Sequence, residues 1–415
     1  MLRIWLFIIF SIYQLVLLVV LEKYVLKYFG YLTRLNLDIL ELSVLQIFLV
    51  SFILLVSFFK NTSFTQISAF LVISFFITLP MSLVVFSLKD LDIVFFLLII
   101  IAGNLIVTYP LRKIYLTINI KEDVFIWFSI VCVIFSSIYY FRGFNNVFVS
   151  EIYTERAISK VIARDMLLGN YLIVFSSYFF VPYLAIHAIL RKQYSLLVPL
   201  SLAQLIFFNF GGNKSYVVAL IVTLLITLNF ERLFLARDSF IYRFCLLVTG
   251  SLVVVALIPS TSTYSVPLAL LAFRLFWISG HMFHDYSNFF IISDNLPTFL
   301  SHVNFISFFI DYPYDDTLGY TVSGAMNDDF ITNANASFVI TDGVAAFGSI
   351  FGVLVAFILL RFFLTLIHNN FYFNNRFTLI LVFPFFMNLL NTSVFTSFLT
   401  GCGFLIFLQS LFRKK

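Results

Sequence analysis

An all-α polytopic membrane protein of about twelve spans is the fold class this sequence predicts. Three observations predict it. Hydrophobic residues make up 62% of the 415, with 57 phenylalanines among them. Charged residues make up only 11%, against roughly 25% in soluble domains, so the chain could not cover itself with polar surface in water. Apolar runs of helical length recur along the whole chain, and no alternating pattern of barrel strands appears.

Taken in order, the expected spans are residues 4–21, 42–59, 67–88, 93–109, 124–141 and 170–190, then 196–210, 216–230, 241–258, 344–367, 377–390 and 396–412. The first follows Arg3 and has the look of a signal peptide, but it lacks a small-residue cleavage site and precedes many further spans. It reads as a retained first helix. The two runs flanking Gly211-Gly212 and the pair split at Asn391 are the shortest. Cys132, Cys245 and Cys402 each lie inside an apolar run without metal or disulfide spacing, which reads as packing. The net charge of +5 comes from loop lysines and arginines and implies no nucleic-acid partner. All of 1–415 is read as one integral membrane domain.

Lys and Arg set the orientation. With the N-terminus in the cytoplasm, fifteen of the 25 fall on the inner side and ten on the outer. The bias is clearest at Arg112–Lys121, Arg191-Lys192, Arg232–Arg243 and Arg413-Lys414-Lys415. Both termini are therefore expected in the cytoplasm. Two long segments, 142–169 and 260–342, then face outward, with a tight turn at Gly211-Gly212-Asn213-Lys214-Ser215 between them.

The first outer segment carries Arg142 and then Arg156, Lys160 and Arg164, spaced four apart to form a basic stripe on a helix. Such a stripe is either a solvated face paired with Glu155 and Asp165 or a ridge for the oxygens of a lipid diphosphate, which Arg forks suit. The Gly-Gly-Asn-Lys-Ser turn is not a P-loop, since Gly does not immediately precede Lys and no strand leads in. Its glycines read as a sharp reversal between helices. Lys214 is open between snorkelling to headgroups and a phosphate contact.

In the second outer segment, 267–290 reads as a helix apolar enough to lie in the interface. Arg274, His281 and Asp285 at i, i+7, i+11 share one face of an ideal helix, with His284 beside them. Nowhere else do a cation, an imidazole and a carboxylate line up. The set is either the polar face of a loop helix or a proton-transfer pair in which Asp fixes the His tautomer. A metal reading is weaker, because the Glu of the metalloprotease pattern is absent. Beyond it Asp311, Tyr314, Asp315, Asp316, Asp328 and Asp329 sit among Tyr, Gly and Asn. Aromatic rings mixed with carboxylates suit sugars, and equally solvate a turn-rich loop.

Asn333-Ala334-Asn335-Ala336-Ser337-Phe338, then Asp342-Gly343, then Phe347-Gly348-Ser349-Ile350-Phe351-Gly352 leading into a helix, resembles the late region of the Wzy-type O-antigen polymerases. The span count, the two outer segments and the outer Gly-Asn-Lys-Ser turn fit the same pattern. The architectural resemblance covers the whole chain, while the motifs cover short patches. Some members carry Arg followed by Gly after ten residues in each outer loop; here Arg156 and Gly169 have twelve between them and Arg274 has no matching Gly.

The resemblance implies a bacterial inner-membrane glycosyltransferase of C-type architecture. Undecaprenyl-diphosphate-linked oligosaccharides would be joined at the periplasmic face, without metal or cofactor, beside a possible chain-length regulator protein. On that expectation His281 is the first candidate base, with His284, Asp285 and Asp342 behind it and Arg274 as catalytic cation. Arg142, Arg156, Arg164 and Lys214 would hold the diphosphate; Tyr314, Asp315, Asp316, Asn335 and Asp342 would bind sugar. Two rivals stand. An O-antigen ligase shares the lipid substrate and the outer loop. A glycolipid flippase would favour internal repeats and charges within spans, and neither is seen.

Overall fold

The structure is a computed structural model of the chain, and it describes residues 2–29, 44–57, 64–88, 93–109, 122–141, 169–230, 237–303, 306–326, 334, 339–371, 376–389, 392–399 and 401–410. Among these residues every regular element is helical and no strand occurs. Seven helices are long and apolar enough to cross a membrane: Leu2–Phe29, Phe64–Val85, Asp123–Tyr140, Tyr171–Leu190, Tyr194–Gly211, Asp238–Leu257 and Ser265–Ile292. Six of them fall on expected spans. The other, Ser265–Ile292, falls where a loop helix lying in the interface was expected.

In chain order the helices are α1 (Leu2–Phe29), α2 (Val44–Val56), α3 (Phe64–Val85), α4 (Ile93–Thr108), α5 (Glu122–Tyr140), α6 (Tyr171–Leu190), α7 (Tyr194–Gly211) and α8 (Lys214–Leu228). They continue with α9 (Arg237–Leu257), α10 (Ser265–Ile292), α11 (Leu318–Met326), α12 (Val339–Phe347), α13 (Ile350–Phe371), α14 (Arg376–Leu389), α15 (Val394–Leu399) and α16 (Gly403–Ser410).

Two compact units form. The first gathers Met1–Leu111, Phe234–Arg361 and Leu390–Phe395; the second gathers Arg112–Leu233, Phe362–Leu389 and Thr396–Lys415.

In the first unit α1, α3 and α9 run parallel. Near their starts the Trp5 and Tyr242 rings meet at 4.4 Å and the Phe64 and Phe240 rings at 4.6 Å. At the other end of α1, Lys23 Nζ donates to the Ala256 carbonyl at 2.7 Å and the Tyr24 hydroxyl to that of Ile258 at 2.6 Å. The helices are apolar all round, so buried amides supply the directional contacts. Gln14 Nε2 donates to Ser51 Oγ at 2.9 Å, and Gln66 Nε2 to the carbonyls of Val107 and Tyr109 at 2.9 and 2.7 Å. Because Gln66 lies near the start of α3, α4 ends where α3 begins. α13 runs alongside α4 in the same direction, with Gly103 against the Phe357 ring and the Arg361 guanidinium 4.7 Å from the Tyr109 ring centre.

These directions fix the two ends of the stretch 258–349. The chain leaves α9 at the Tyr28 end of the unit, and α13 then runs toward the Tyr109 end. The intervening segment therefore begins and finishes on the same side. The Tyr28 hydroxyl bonds Ser265 Oγ at 2.7 Å at the start of α10. Further on, Phe276 touches Tyr13 with ring centres 6.4 Å apart, and Gly280 packs on Val84 near the end of α3. Among the described residues of this stretch no helix other than α10 is long and apolar enough to cross a membrane.

The second unit packs α5 to α8 with α14. Aromatic edges dominate, such as Phe125 on Tyr183 at 5.2 Å. The Gly211–Ser215 turn is the sharp reversal its glycines suggest: Gly212 adopts φ 58°, and Asn213 caps α8 by accepting from the Ser215 amide at 3.3 Å.

Candidate functional site

Two His–carboxylate sets lie on facing elements of the first unit. On α10, Asp285 sits between two imidazoles. Its Oδ2 is 3.5 Å from His281 Nε2 and its Oδ1 is 3.2 Å from His284 Nδ1. The Asn288 amide donates to His284 Nε2 at 3.0 Å, which leaves the His284 proton on Nδ1, directed at the carboxylate. The Asp285 side chain is 5% exposed and both imidazoles are 12% exposed, so the whole set is largely buried. The expected grouping of His281, His284 and Asp285 is therefore present.

Arg274 does not join it; its side chain is exposed. The cause is local. Phe273–Trp277 is a π turn, which takes up one residue more than an α turn and so shifts the helical phase by about one residue, or roughly 100°. The i, i+7, i+11 alignment holds only for an uninterrupted α-helix.

The second set is built on α12. Asp342 is 1% exposed and three donors converge on it. His302 Nε2 lies 2.8 Å from Oδ1, while Ser393 Oγ donates to Oδ2 at 2.6 Å and the Phe395 amide at 3.3 Å. His302 Nδ1 in turn lies 2.7 Å from Thr298 Oγ1, which also bonds the Ala345 carbonyl at 3.0 Å. One hydroxyl carries one proton. If it goes to Ala345, both ring nitrogens of His302 donate and the ring is an imidazolium. If it goes to His302, the ring is neutral and Ala345 keeps the Thr298 amide at 2.9 Å.

The glycine-rich motif makes this set possible. A Cβ at Gly352 would fall 1.9 Å from the Gly343 oxygen, and one at Gly343 would fall 2.4 Å from the Gly352 oxygen. Between them Gly348 turns the backbone at φ 63°. α12 and the start of α13 are therefore a backbone-to-backbone hairpin that holds Asp342 in place. The two sets sit on packed elements: α12 packs on α10, and the Tyr286 hydroxyl of α10 donates to the Ala334 carbonyl at 3.1 Å.

The other expected residues are dispersed. The Tyr314 hydroxyl donates to the Leu296 carbonyl, and its ring packs on Phe289 and Tyr312 at 5.8 and 5.7 Å. Asp311, Asp315 and Asp316 are exposed. Burial pushes the neighbouring Tyr312 phenol up to about 12, with Thr321 offsetting part of the rise, so it stays a neutral hydroxyl at physiological pH. Lys214 is exposed at the start of α8. Arg142, Arg156, Arg164, Asn335, Asp328 and Asp329 lie outside the described residues. Among the described residues, no group of three or more His, Cys, Asp or Glu is placed to hold a metal ion.

Sequence reasoning missed His302 and Ser393. They stand 40 and 51 residues from Asp342, and no periodicity links such distances. The one available signal was that three of only five histidines fall within 260–342. No protein-family model, curated protein or solved structure matches this chain.

Proposed function

We propose that this chain is a polytopic membrane glycosyltransferase of C-type architecture with about twelve spans. In this reading it polymerises undecaprenyl-diphosphate-linked oligosaccharide units at the periplasmic face of a bacterial inner membrane, and both termini are cytoplasmic. The observation that carries the reading is the Asp285 carboxylate held between His281 and His284 on α10. Shorter apolar helices, among them Gln46–Val56, Ile99–Thr108 and Lys214–Leu228, fall on expected spans and support the count.

The chemistry assigns roles. The bond between the anomeric carbon and the diphosphate oxygen breaks, a bond from that carbon to the acceptor hydroxyl oxygen forms, and the hydroxyl proton goes to a base. His281 takes that proton, and the Asp285 carboxylate stabilises the imidazolium. The departing lipid diphosphate carries the electron pair and needs fixed cations. Arg274, exposed one π turn before the cluster, is the candidate for that role in the first unit. Exposed Asp315 and Asp316, with Asn335, offer acceptors to sugar hydroxyls.

His281→Ala and Arg274→Ala are each expected to abolish chain extension while the protein stays in the membrane at normal abundance, read as polysaccharide ladder length in cells carrying the variant. Wild-type ladders from both variants would remove α10 from the mechanism.

A further inference from the structure

A groove of about 780 Å³ runs along the second unit between α5, α6 and α7. Its volume falls within the range of ligand pockets, enough for a head group and one acyl chain. The trough exists because small residues, Ala188, Pro199 and Ala203, face bulky walls such as Trp127, Ile130 and Ile134. Along nearly all its length the lining is hydrocarbon, as the seat of an acyl chain requires. At one end the chemistry changes: Asp123, His187, Arg191 and Gln193 form a polar mouth.

The mouth carries one anion and one cation at a telling separation. Arg191 Nη2 lies 3.9 Å from Asp123 Oδ1, and the side chains are 51% and 76% exposed. An ion pair that long and that exposed contributes little, so both groups are available to a ligand. An Arg fork suits phosphate oxygens, and a carboxylate suits a primary ammonium with protons to give. A head group that satisfies both has a phosphate and an ammonium joined by a short linker.

We infer that this groove is a binding site for one membrane glycerophospholipid with a phosphoethanolamine head, its phosphate on Arg191, its ammonium on Asp123 and an acyl chain along the trough. The site lies within the second unit and does not depend on the glycosyltransferase reading. A phosphoglycerol head lacks the ammonium that Asp123 requires. A phosphocholine head has a quaternary nitrogen that donates no hydrogen bond.

Full-length protein purified in detergent and incubated with an equimolar mixture of phosphatidylethanolamine, phosphatidylglycerol and phosphatidylcholine of identical chains tests this by native mass spectrometry. Wild type is expected to retain phosphatidylethanolamine roughly fivefold over either competitor. Asp123→Asn, an exposed change that leaves the packing intact, is expected to erase the preference over phosphatidylcholine while diacyl lipid still binds. Ala203→Phe, which fills the trough, is expected to lower retention of all three. Equal retention of the three lipids by wild type, a preference for phosphatidylglycerol, or an unchanged preference in Asp123→Asn would each overturn the assignment.

Discussion

At the residue scale, the buried His302–Asp342 pair stands at the centre of the second set, with both ring nitrogens and three carboxylate contacts engaged. Breaking such a buried pair by removing one member costs about 3–5 kcal/mol, because the other is left buried without its partner. Asp342→Ala is expected to lose stability on that scale, read as a lowered thermal midpoint in detergent. The double variant Asp342→Ala/His302→Ala is expected to cost clearly less than the sum of the singles. Additive losses would show that the two side chains do not act as a unit. His281 and Asp285 were legible in the sequence because i, i+4 neighbours on a helix meet whatever surrounds them. His302 and Ser393 were not, since their meeting with Asp342 depends on how distant segments pack. Asp342 was marked out as a sugar contact and a reserve base, but its burial at 1% exposure was not.

At the element scale, two local features set the site. The π turn at Phe273–Trp277 puts Arg274 out of phase with His281. The Gly343–Gly352 contact draws α12 against α13. Neither breaks the apolar pattern, so α10 was recognised as a helix while its phase was not. The glycine pair was noticed as a motif, and its reason, a backbone contact, needed coordinates. Gly352→Ala is expected to open the hairpin, lowering the thermal midpoint and shortening the polysaccharide ladder together. Gly250→Ala, where an added Cβ meets nothing within 4 Å, is expected to be neutral or to stabilise α9 by about 0.5–1 kcal/mol. Similar effects from the two substitutions would argue against the close approach.

At the scale of the whole molecule, the greasy composition announced a helical membrane protein, and the expected spans coincide with six of its seven long apolar helices. The seventh, α10, escaped because Arg274, His281, His284 and Asp285 dilute its apolar run. Helix directions in the first unit return residues 258–349 to the side they leave. Single cysteines at exposed Ser293 and Thr317, in a background without Cys132, Cys245 and Cys402, are therefore expected to react with an impermeant thiol reagent from one and the same side of the membrane. On the proposed topology that side is the periplasm, and labelling of either from the cytoplasm would invert it. The central claim is that this face moves a glycan from one lipid diphosphate to another. The most direct measurement supplies purified protein with one synthetic undecaprenyl-diphosphate oligosaccharide and no nucleotide sugar. A ladder of products longer by whole repeat units, accompanied by released undecaprenyl diphosphate, is expected. Unchanged substrate with wild-type protein folded in a bilayer would contradict it.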